Sequence, residues 1–93
     1  MDIERIRARI KALEYTISFT HTEKPRERMI EAADLEEAVR NGTIIEAYPG
    51  DPRGPSCLIS GLSRSGKPLH VVCGALEEEE VLIVTAYEPD PEE

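Results

Sequence analysis

The chain contains no tryptophan, one phenylalanine and three tyrosines. Platforms on which successive bases could stack are therefore scarce, and general single-strand binding of that kind has little material. No apolar run approaches the roughly 18 residues that a membrane helix needs. There is no Gly-rich phosphate loop, no dinucleotide fingerprint and no G-x-S-x-G elbow. The two cysteines, Cys57 and Cys73, form no C-x-x-C, which argues against a thiolate zinc site. Neither a metal nor a cofactor is expected. Positive charge is also short: 11 Lys/Arg against 19 Asp/Glu give a net charge of −8. Such a chain repels phosphate backbones overall and has no broad electrostatic claim on nucleic acid.

What is present suits one small globular unit. Ninety-three residues, 40% of them apolar, leave room for a single domain over residues 1–93. The charge is uneven: residues 1–41 hold eight basic and nine acidic residues, residues 42–93 three and ten. An anion-binding surface is thus expected from the N-terminal half. Met-Asp-Ile-Glu-Arg is charged from its second residue, which argues against a secretory signal and for a cytoplasmic location.

Hydrophobic spacing predicts the elements. Ile3, Ile6, Ile10 and Leu13 recur at helical spacing, so a helix is expected over 2–14 with Asp2 as its N-cap. Its Arg5/Arg9 and Arg7/Lys11 pairs make a basic face, either simply solvated or turned toward an anion or an antitoxin. Residues 15–21 alternate as a short extended segment. A second helix is expected after Thr22, with Pro25 in its first turn and Arg28 along it. A third should start at Asp34, with Glu37 completing a capping box, and stop at Asn41-Gly42. Four strands follow, Thr43–Tyr48, Ser56–Leu62, Pro68–Leu76 and Val81–Tyr87, joined by breaks too short for parallel crossovers. The expected fold is α+β: two to three N-terminal helices packed on one face of a four-stranded antiparallel β-meander. The acidic, proline-containing segment 88–93 is expected to fray.

Folding the three breaks about their midpoints assigns faces, because side chains alternate along a strand. One face collects Ile45, Ala47, Cys57, Ile59, Leu69, Val71, Cys73, Leu82, Val84 and Ala86, all apolar, and should lie under the helices. The other carries Glu46, Tyr48, Leu58, Ser60, His70, Val72, Thr85 and Tyr87. Ser60 then stands opposite His70, and His70 opposite Tyr87. An imidazole on a strand flanked by hydroxyls is a candidate general acid or base near neutral pH. Thr85 and Tyr87 could orient it or hold a phosphate, His21 could join from the loop before the second helix, and Lys67 lies in the adjoining turn. The same folding sets Cys57 beside Cys73 as two reduced core thiols.

Four ordered segments carry a family resemblance: Gly42–Pro49, Pro55–Gly61, Pro68–Val72 and Thr85–Asp90, preceded by Phe19-Thr20-His21 and an Arg-rich helix. Together they closely resemble the small prokaryotic domain-of-unknown-function family 4258, over roughly residues 17–91. That family looks similar to RelE-like and barnase/colicin-type ribonuclease folds, and its members occur near toxin systems. The resemblance implies a ribonuclease-type toxin domain acting on RNA, with His70 and Thr85 in strands that keep catalytic groups and Arg28 on the helix after His21. In that reading His70 is the acid or base, Arg28 and Lys67 neutralise charge, Thr85 and Tyr87 position the phosphate, and Ser60 and His21 contribute binding. An antitoxin or a second copy would be the protein partner, and no membrane is involved. The residues alone leave a second reading open, a non-enzymatic interaction module that uses a sheet edge or the first helix.

Overall fold

Strand order rather than helix count decides the architecture. A computed structural model of the chain describes residues 3–17, 31–52, 54–74 and 80–89. Among these are α1 (Ile3–Lys11), β1 (Tyr15–Ile17), α2 (Ala32–Asn41), β2 (Thr43–Tyr48), β3 (Ser56–Leu62), β4 (Pro68–Gly74) and β5 (Val81–Tyr87). The strands form one sheet in the order β1-β5-β4-β3-β2. From β2 to β5 it is the expected antiparallel meander. β1 corrects the expectation, because it pairs with β5 in parallel, Tyr15 with Val81 and Ile17 with Ile83, and makes the sheet five-stranded and mixed. The alternation of Tyr15, Thr16 and Ile17 marked an extended segment, but a parallel partner far along the chain leaves no local trace. The second expected helix, with Arg28, His21 and the Asp2 cap, lies outside the described residues.

α1 packs on α2 and β5, and α2 packs on β3 and β4. Ile6 and Ile10 of α1 and Leu35, Ala38 and Val39 of α2 are buried against Ile59, Val71, Cys73 and Ile83. Each such aliphatic side chain contributes roughly 1.5–3 kcal/mol by leaving water. α2 meets β3 at very short range. A Cβ at Gly42 would lie 2.5 Å from the Ala38 carbonyl oxygen, and one at Gly61 would overlap the same carbonyl. Asn41 seals this junction, donating from Nδ2 to the Leu62 carbonyl (2.9 Å) and accepting the Leu62 N–H at Oδ1 (2.8 Å).

Both helix boundaries differ from expectation. α1 ends at Lys11, and Leu13, placed by periodicity on the apolar stripe, is 69% exposed with a φ of 61°. The N–H groups of Leu13 and Glu14 donate back to the carbonyls of Ile10 (3.1 Å) and Arg9 (2.8 Å), a Schellman ending with leucine where glycine is usual. α2 begins three residues early. Glu31 is its N-cap and Asp34 its third residue, and the two form the reciprocal box.

Two bulges correct the face assignment. The β2–β3 register shifts between Ile44 and Glu46. Ile44 therefore packs against the core and Ile45 is 48% exposed, whereas Ala47 keeps its expected place opposite Cys57 but is exposed on the edge strand. The β4–β5 register shifts between Val72 and Cys73, so Val81 and Ile83 turn inward while Leu82 and Val84 are only half-buried. A bulge sets two residues against one and reverses the alternation beyond it. Cys57, Ile59, Leu69, Val71, Cys73 and Ala86 do lie on the buried face.

Candidate functional site

The face turned away from α1 and α2 carries a row of polar side chains across four strands. Thr43 of β2 pairs with Ser60 of β3, Ser60 with His70 of β4, and His70 with Tyr87 of β5. Directly paired residues of antiparallel strands share a face and lie within contact range. His70 is half-buried on a strand held from both sides, so its backbone is fixed and its ring remains accessible. Its Nδ1 is 3.3 Å from the Tyr87 hydroxyl, and the two rings meet edge to face, with centroids 5.3 Å apart and planes at 70°. This contact orients the imidazole through Nδ1, and among the described residues Nε2 meets no hydrogen-bond partner.

Three of the residues singled out from sequence, Ser60, His70 and Tyr87, thus come together. Thr85 stands one row along, opposite Val72, in a row that continues through Leu58 to Glu46. Leu58 is buried and Val72 half-buried, which makes this second row largely apolar. Glu46 accepts a hydrogen bond from the Tyr48 hydroxyl (2.7 Å). That bond, with burial and the neighbouring Glu46 and Tyr87 charges, raises the Tyr48 pKa above its ordinary value. Lys67 closes the β3–β4 turn, its N–H on Ser63 Oγ (3.2 Å) and its carbonyl accepting the Ser63 N–H (2.8 Å). Thr43 is the row member that folding about the midpoint missed: that operation set Ile44 opposite Ser60, and the bulge at Ile45 moved the partner by one.

Two of the four basic residues of α1, Arg7 and Arg9, are engaged within the fold. Arg7 donates from Nε to the Val39 carbonyl (3.2 Å) and from Nη2 to the Gly42 carbonyl (2.6 Å), closing the C-terminal end of α2. A cation there also suits the helix dipole. Its Nη1 meets Glu4 at 2.6 Å, and Arg9 meets Glu14 at 3.1 Å. A cleft of about 660 Å³ between α1 and α2 includes Arg7, Arg40 and Arg64 in its walls. Arg40 is paired with Glu37 (2.6 Å) and Arg64 with Asp34 (3.0 Å) and Glu31 (3.3 Å). On the same side the Tyr15 hydroxyl bonds Glu36, and burial, with that carboxylate, pushes the Tyr15 pKa up to about 12. Arg7 thus ties α1 to the end of α2 and Arg64 ties the β3–β4 hairpin to its start, while Arg40 pairs within α2.

Among the described residues no cluster of three or more His, Cys, Asp or Glu is arranged to hold a metal ion. Nor is any helix among them long and apolar enough to cross a membrane.

A two-helix layer on a mixed sheet, with its polar row on the opposite face, defines a small α+β domain. The family model described as "Domain of unknown function (DUF4258)" matches residues 22–88. The chain belongs to that family. No curated protein and no solved structure matches it.

Proposed function

We propose that this chain is a RelE/barnase-like ribonuclease-type toxin domain that cleaves RNA on the sheet face turned away from α1 and α2, with His70 as general acid or base. The carrying observation is the half-buried His70 on a central strand, bonded at Nδ1 to Tyr87 and flanked by Ser60. Nε2 takes the proton of a ribose 2′-hydroxyl as that oxygen attacks the adjacent phosphorus. The bond from phosphorus to the 5′-oxygen breaks, and the leaving oxygen takes a proton from solvent water, while the imidazolium returns its proton to solvent. The products are a 2′,3′-cyclic phosphate and a 5′-hydroxyl. Tyr87 orients the imidazole, and Thr85 and Ser60 position the phosphodiester. Arg28, with Lys67, offsets the developing negative charge, a role in which a fixed cation contributes several kcal/mol; His21 assists binding. An antitoxin would restrain the domain in the cytoplasm.

Induction of the gene in a bacterial host tests this. Growth should arrest with the wild type and proceed with His70→Ala at equal protein level. Growth unaffected by either protein would remove the toxin reading. One observation favours the alternative, an interaction module: β2 is an edge strand exposed along most of its length. An added strand from a partner would find its backbone groups free there.

A further inference from the structure

Asn41 is the chain's single asparagine, glutamine is absent, and the residue after Asn41 is Gly42. A side-chain amide followed by glycine is the pair with which a chain reacts with itself most readily, because no Cβ hinders the glycine nitrogen. This fold requires both residues. Asn41 donates to the Leu62 carbonyl (2.9 Å) and accepts the Leu62 N–H (2.8 Å), a pairing that needs an amide, with donor and acceptor on separate atoms. Glycine at 42 is set by space, since a Cβ there would lie 2.5 Å from the Ala38 carbonyl oxygen and 2.7 Å from that of Ser60. Arg7 of α1 donates to the Gly42 carbonyl (2.6 Å), so α1, α2 and β3 all close on one dipeptide.

We propose that Asn41-Gly42 is a self-modification site held shut by the fold: its conversion to aspartate and isoaspartate is slow while Leu62 clasps Asn41, and the product weakens that clasp. Hydroxide removes the Gly42 amide proton, and the nitrogen attacks Asn41 Cγ. The Cγ–Nδ2 bond breaks, and Nδ2 leaves as ammonia with a proton taken from water. Water then opens the cyclic imide. Opening at Cγ yields aspartate. Opening at the Asn41 backbone carbonyl yields isoaspartate, whose chain runs through the side-chain carbon and is longer by one methylene. The first step needs Nδ2 released from Leu62 and Cγ turned onto the Gly42 nitrogen, so it draws on the locally opened population. Either product lacks the Nδ2 donor. Aspartate sets a carboxylate oxygen against the Leu62 carbonyl and beside Glu37, whose Oε2 now accepts from Nδ2 at 3.3 Å. Isoaspartate lengthens the backbone where a single Cβ has no room. Opening thus permits the change, and the change favours opening.

The test incubates the full-length protein at pH 8, folded or unfolded in guanidinium chloride, and follows residue 41 by peptide mass spectrometry in heavy-oxygen water. Released ammonia is a second readout, and with no other side-chain amide in the chain it reports this residue alone. The folded protein should convert at least about tenfold more slowly than the unfolded one. Arg7→Met, which frees the Gly42 carbonyl, should convert at least about threefold faster than wild type under native conditions. Arg9→Met, which frees Glu14 away from the junction, should convert at the wild-type rate. Asn41→Asp, a mimic of one product, should lower the folding constant about 3- to 10-fold, the range expected for one lost hydrogen bond. Should Arg7→Met fail to fold, the wild-type comparison and Asn41→Asp decide. Equal conversion in the folded and unfolded states, no conversion in either, a folded Arg7→Met converting at the wild-type rate, or Asn41→Asp as stable as wild type would overturn the inference.

Discussion

Leu13 holds a left-handed backbone with most of its side chain in water. A non-glycine residue in that conformation costs about 1–2 kcal/mol, and glycine pays back part of the relief in unfolded-state entropy. Leu13→Gly should therefore stabilise the fold by about 0.5–1 kcal/mol, read as a higher urea midpoint at unchanged slope. A lower midpoint would mean that the exposed leucine makes contacts worth more than its strain. The residue also marks a limit of periodicity. Ile3, Ile6 and Ile10 sit on the stripe that spacing implied, yet the helix stops before Leu13 is reached, because α1 turns back into β1. Nothing in the leucine itself announces that.

Elements are tied to one another by few, identifiable links. Arg64 at the tip of the β3–β4 hairpin reaches the first turn of α2, where its guanidinium and N–H both bond Asp34. The Arg64 hydrogen bond holds the Asp34 carboxyl below its ordinary pKa. A carboxyl depressed in the folded state contributes stability above its unfolded pKa, near 4, and loses it as pH falls through the folded value. Acid titration should show the wild type losing stability below about pH 5 more steeply than Asp34→Asn. Identical acid limbs would count against the link.

The Cys57–Cys73 pair joins β3 to β4 under the helices. Burial pushes the two thiols up to about 11 and about 12. At pH 8 both should resist a thiol reagent in the folded protein and react at the rate of unfolding; fast labelling without denaturant would contradict their placement. The register that pairs them was readable because the Ser63–Lys67 break is short and symmetric, with Gly66 supplying a φ of 83°. It failed only at the bulges beside Ile45 and after Val72, where one extra residue has no mark in hydropathy. The parallel β1–β5 pairing was likewise beyond reach, since no turn connects the two strands.

At the scale of the molecule, α1 and α2 take the apolar face and the row of Thr43, Ser60, His70 and Tyr87 lies on the other. That division was legible, because His70, Ser60 and Tyr87 fall on one parity of adjacent hairpins. The cations that sequence reasoning named for them, Arg28 and Lys67, are not joined to the row by register, since Arg28 lies outside the described residues and Lys67 lies in the turn before β4; Arg7 of α1 ties down the end of α2. The most direct test of the catalytic claim is product analysis on a 5′-labelled single-stranded RNA with purified wild type and His70→Ala. Wild type should yield fragments ending in a 2′,3′-cyclic phosphate, and the variant should be slower by at least about 100-fold, the usual contribution of one acid–base group. Cleavage at the same rate by both proteins would contradict the account.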